Sequence, residues 1–145
     1  MTELLTLIHV LGLALGLGAA TTKTVLLLRC GADAELIAAY LRVRRFVTRV
    51  IITGLALLVV SGAGFFLVGF FSLGADLIFK LVLVAALFVL GPVIDNVVEP
   101  RFAKAAPARG APASPEFVGA RRRYVAIEVA ATSLFYLITA FWILR

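Results

Sequence analysis

The chain is poor in most of the residues on which soluble chemistry depends. Its 145 residues include one cysteine, one histidine, one methionine and one tryptophan, and only 15% are charged. Cys30 has no second cysteine with which to close an internal disulfide, and one histidine with one cysteine cannot assemble a zinc site within a single chain. Met1 is the only methionine, so the thioether and thiolate clusters favoured by copper(I) have no counterpart. There is no GxxxxGK[ST] phosphate loop, and the glycines from Gly12 to Gly18 lie inside an apolar run. His9 has no serine or cysteine in a nucleophile context beside it.

Apolar residues fill the space those absences leave. They make up 63% of the chain, with a mean hydropathy of +1.11, which excludes a soluble enzyme. Four apolar stretches, about Leu4–Leu28, Val50–Phe71, Leu77–Val98 and Tyr124–Leu144, each reach the roughly 20 residues a membrane-spanning helix needs. Unpaired backbone cannot face lipid, so the expected fold is all-α: one domain over residues 1–145, a four-helix transmembrane bundle. The first stretch follows Met1-Thr2-Glu3 rather than a basic segment and is longer than a signal peptide's apolar core, so it is expected to be a retained span.

Charge is distributed unevenly among the connections. Arg29, Arg42, Arg44, Arg45 and Arg49 lie between the first two spans, and Arg101, Lys104, Arg109 and Arg121–Arg123 between the last two. The short Ser72–Asp76 turn has no basic residue. The positive-inside rule therefore makes loops 29–49 and 99–123 cytoplasmic and puts both termini outside, on the periplasmic side of a bacterial inner membrane. Most of the formal +6 is an orientation signal. Without interleaved aromatics, the basic loops favour anionic lipid over nucleic acid as a partner. The segment Ala34–Val47 has helical spacing and reads either as a surface helix or as a connector running into the second span. Pro107, Pro112 and Pro115 mark a flexible or extended loop. Trp142 and Phe65, Phe66, Phe70 and Phe71 fall where an outer aromatic belt is expected.

Ionisable residues inside the spans are costly and few. At about 100° per residue, His9, Gly12, Gly16, Ala20 and Lys23 share one face of the first helix. Lys80, Leu87, Gly91 and Asp95 share one on the third, and Glu128, Thr132, Phe135, Thr139 and Trp142 one on the fourth. Gly54, Ser61 and Gly64 give the second helix a packing face. By depth, Lys23, Asp95 and Glu128 form an inner charge cluster, either a helix-register device or a proton relay. His9 and Lys80 form an outer layer. A neutral imidazole binds haem iron or another transition metal, and a lysine in an apolar pocket serves as ligand or base. The plainer alternative is an interfacial histidine hydrogen-bonded to a neighbouring helix, with Lys80 snorkelling or paired to Asp76.

The run His9-Val10-Leu11-Gly12 with Gly16 and Gly18, then Gly54-Leu55, Ser61-Gly62 and Phe79-Lys80-Leu81, resembles the CopD-like and HemJ-like superfamily of small bacterial membrane proteins. The resemblance implies an association with haem b, as in the HemJ-type protoporphyrinogen oxidases, with His9 as an axial metal ligand. It implies Lys80 as a catalytic, ligand or substrate-contacting residue. Other members are linked to copper handling. The first span has no Trp, and Lys23 and Asp95 lie outside that pattern. Two other function classes stand beside the redox one: a small transport or metal-handling component, and a structural or assembly subunit. A homodimer presenting His9 twice is a further expectation, since Gly12 and Gly16 are spaced for close helix approach.

Overall fold

The computed structural model describes residues 2–69, 74–108 and 111–143, with backbone alone for 142 and 143. The expectations attached to Phe70, Phe71, Arg109, the Trp142 side chain and the first residues of the Ser72–Asp76 turn lie outside the described residues. Helix α1 spans Thr2–Cys30 and α2 Ala34–Leu67. The third span is composite: α3 (Ala75–Val93) runs through a π turn at Ile94–Val98 into α4 (Glu99–Ala105). Helix α5 covers Pro115–Ile143. No strand occurs among the described residues, and four helical stretches are long and apolar enough to cross a membrane. The chain is a multi-pass, all-α membrane protein.

Local chemistry sets the breaks. After α1, Gly31 takes φ +53°, and Asp33 caps α2 by accepting from the Glu35 and Leu36 amides at 2.8 and 3.2 Å. Ser114 accepts from the Phe117 amide at 3.1 Å, with Pro115 in the first turn of α5. The Arg121 guanidinium donates to the Leu28 carbonyl at 3.1 Å, satisfying an orphan acceptor at the end of α1.

The helices outrun the spans expected from hydropathy. Helix α2 is unbroken over 34 residues, about 51 Å against an apolar core of about 30 Å. Ala34–Val47 is thus the first part of the second helix rather than a separate surface helix. Likewise, residues 99–105 and 115–123 are helical, where a loop over 99–123 was expected. These extensions pack together. Leu27, Cys30, Ile37, Tyr40, Ile94, Phe102, Phe117 and Tyr124 form a buried core at the basic end. A smaller core of Ala20, Leu87 and Phe135 lies further along the bundle. Elsewhere large apolar side chains point outward, as lipid requires; Leu4, Phe46, Val89 and Leu137 are among many left exposed.

The most extensive pairing is α1 with α2, followed by α1 with α5 and α3 with α5. Leu5 lies against Gly64 and Phe79 against Phe141, and His9, Phe65, Lys80 and Thr139 line one cavity, so the start of α1 and the end of α5 lie toward the same end of the bundle. Among the described residues, α2 and α3 barely touch although they are consecutive in the chain. The bundle is therefore closed on three sides and parted on the fourth.

Candidate functional site

Two sites lie one behind the other along the bundle. Toward the chain termini, the parting of α2 and α3 leaves a cavity of about 520 Å³, within the range of about 300–1,000 Å³ typical of cofactor and small-molecule sites. Its wall is apolar, with Leu13, Leu55, Leu58, Val84, Phe88 and Phe135 among the lining residues. His9 from α1, Lys80 from α3 and Thr139 from α5 are the lining residues with polar side chains. The expected outer layer is thus assembled as the shared wall of one cavity.

His9 is held from α2. Its Nδ1 lies 2.9 Å from Ser61 Oγ, and that hydroxyl lies 2.7 Å from the Leu57 carbonyl and 3.1 Å from that of Leu58. Ser61 Oγ and His9 Nδ1 thus share a hydrogen bond whose direction follows the imidazole tautomer, and it fixes the ring's orientation. Phe65 meets the imidazole edge-on at 5.8 Å. Ser61 is completely buried on the expected packing face of α2, and it acts there as the group that orients the histidine. Lys80 Nζ lies 5.6 Å from the centre of the Phe141 ring, a cation–π contact between α3 and α5.

Nearer the basic end, Lys23, Asp95 and Glu128 come together as expected. Lys23 Nζ is 3.5 Å from Asp95 Oδ1 and 3.6 Å from Glu128 Oε2. A third carboxylate, Glu99, lies closer still at 3.4 Å, and its other oxygen takes Arg44 Nη1 at 2.7 Å. Tyr124 donates to Glu99 Oε2 at 2.8 Å, and its hydroxyl meets that of Tyr40. Thr24 and Thr132 share a hydrogen bond beside the cluster. A small cavity of about 80 Å³ adjoins it, and Leu55, Leu87 and Phe135 line both this cavity and the larger one.

Glu99, Arg44, Tyr40 and Tyr124 were not among the expected site residues. Glu99 follows directly on the third apolar stretch, Leu77–Val98, yet is 6% exposed; Arg44, one of the orientation charges, is turned inward. The π turn explains the first. On an unbroken α-helix Glu99 is about 120° round from buried Leu87, and the extra residue accommodated by a π turn brings it back by about 100°. Pro92 starts the irregularity by lacking an amide hydrogen, and the Asn96 side chain donates to its carbonyl at 2.9 Å. Tyr40, Arg44 and Tyr124 were hidden by the arginine-rich segments in or beside which they lie.

Gly12 and Gly16, the residues whose spacing pointed to a dimer, are packed within the chain against Gly54. Among the described residues no group of three or more His, Cys, Asp or Glu is arranged to hold a metal. No family model, no curated protein and no solved structure matches the chain.

Proposed function

We propose that the protein binds a porphyrin-type molecule, haem b above all, in the cavity between α2 and α3, and serves membrane redox or porphyrin chemistry. The observation that carries this reading is the conjunction of a cofactor-sized apolar cavity with an oriented imidazole and an ammonium on its wall. The residues fit the group on three counts. The cavity volume of about 520 Å³ is adequate, the wall suits an apolar macrocycle, and the Ser61 bond to Nδ1 fixes the orientation of the imidazole on that wall. His9 would hold the iron, while Lys80 would take an acidic edge group or the second ligand position. Bound haem supplies reversible one-electron transfer. The chain's own contribution is to orient the imidazole, offer a cation and exclude water with Leu55, Leu58, Phe88 and Phe135.

Absorbance titration of the detergent-purified chain with haem tests this. A saturable Soret band at one haem per chain, lost in His9→Ala and weakened in Lys80→Ala, is expected. A chain that gives no Soret shift after reconstitution, or gives the same spectrum in His9→Ala, overturns the reading.

A further inference from the structure

The charge cluster at the basic end does not balance. Asp95 in the π turn, Glu99 on α4 and Glu128 on α5 face Lys23 from α1 and Arg44 from α2, three carboxylates against two cations. Tyr40 and Tyr124, the other titratable groups packed against them, contribute hydroxyls. With all groups in their usual charge states, the enclosure holds one negative charge in excess. An uncompensated charge away from water is costly.

The three carboxylates differ in how well they are supported. Glu99 has Arg44 at 2.7 Å, Tyr124 at 2.8 Å and Lys23 at 3.4 Å. The Asp95 side chain keeps 30% of its surface exposed. Glu128 has neither advantage: its side chain is 5% exposed, and its Oε2, at 3.6 Å from Lys23 Nζ, has no hydrogen-bond partner. It lines the cavity of about 80 Å³ together with Thr48, whose buried hydroxyl is also without a partner. The wall is mainly apolar, but a pocket of that size with unsatisfied polar groups facing it has room for water.

We propose that Glu128 is an exchangeable proton-binding site, holding at neutral pH the one proton that balances the cluster. This site is separate from the haem reading and does not depend on it. The step is proton transfer alone: a hydronium ion reaching the pocket forms an O–H bond at the Glu128 carboxylate and leaves as water. Asp95, the partly exposed carboxylate on the same pocket, is the exchange route. Leu55, Leu87 and Phe135 separate the pocket from the large cavity. Lys23 disfavours an alkali ion here, because its ammonium already lies within 3.6 Å of all three carboxylates and repels a second cation, whereas a proton sits on the oxygen itself.

Infrared spectroscopy of the full chain in lipid nanodiscs at neutral pH tests the site. One carboxylic-acid carbonyl band per chain is expected, shifted down in D₂O, lost in Glu128→Gln and retained in the exposed-site control Glu116→Gln. Lys23→Gln removes a cation, so its band is expected to rise about twofold. Absence of the band from the wild-type chain overturns the proposal with no variant needed, as does a band that persists in Glu128→Gln. A band abolished by sodium chloride but not by choline chloride overturns it in favour of a metal cation.

Discussion

Replacing Gly54 with alanine probes the crossing of α1 and α2, on which the position of His9 depends. A Cβ at residue 54 would lie 2.6 Å from Gly16 Cα and 2.8 Å from the Gly12 carbonyl oxygen. Carbon atoms in contact sit about 3.5–4.0 Å apart, so the overlap with Gly16 Cα is about 1 Å. Both obstacles are backbone atoms, and no side-chain rotation relieves them. The helices must part, which loosens their most extensive contact and stretches the bond from His9 to Ser61, now 2.9 Å. Overpacking generally costs about 1–3 kcal/mol. Backbone against backbone places Gly54→Ala at the upper end, about 3 kcal/mol. Gly18, on the same α1, is the control, since a Cβ there meets nothing within 4 Å. Gly18→Ala is expected to be neutral or to gain up to about 1 kcal/mol from helix propensity. Reversible SDS unfolding in mixed micelles, followed by circular dichroism, measures both. A Gly54→Ala chain within about 0.5 kcal/mol of wild type, the scatter of ordinary surface substitutions, refutes the close-crossing argument. Equal shifts in the two variants refute it as well.

Arg44→Met is expected to cost about 3–5 kcal/mol, because it leaves Glu99 buried with one cation fewer. Arg45→Met, at an exposed neighbouring position, should stay within about 0.5 kcal/mol of wild type; the same unfolding assay separates the two. Tyr124→Phe removes the hydroxyl that supports Glu99 at 2.8 Å and also meets Tyr40, a loss of about 1.5–3 kcal/mol for a charged acceptor. Tyr40→Phe deletes the bond one step further from the charge and should cost about 1 kcal/mol by the same measurement. Ser61→Ala takes away the hydrogen-bond partner of His9 Nδ1, so haem affinity, with His9 as the ligand, should fall about 10–100-fold in the absorbance titration.

The spans were legible because a membrane core imposes a length and a composition that a sequence displays directly. The inward faces were legible too: Gly12, Gly16, Ala20 and Lys23 recur at helical spacing and are all buried. So were Glu128, Thr132 and Phe135 on α5. Depth and face together brought Lys23, Asp95 and Glu128 to one place. Glu99 escaped because helical phase was carried through Pro92 without the π turn that resets it. Arg44 escaped because one arginine among several looks like an orientation charge until a partner across the bundle is known. The basic-end core escaped for a related reason. Ile37, Tyr40, Phe102 and Phe117 sit among polar residues, and their segments become helices only by packing on one another. The large cavity had no sequence signature, since it arises where α2 and α3 part, and residue patterns encode contacts more readily than gaps.

That parting has a bearing on how any occupant is measured. With the chain in a bilayer, a cavity whose missing wall lies between two spans would have acyl chains as its neighbouring phase. An apolar occupant reaches it after dissolving in the bilayer, so the concentration that matters is its mole fraction in the lipid. Diluting the sample with buffer leaves that quantity nearly constant, while adding empty vesicles lowers it. Apparent affinity should therefore scale with the lipid-to-protein ratio, and a detergent micelle of different volume should change it without any change in the protein.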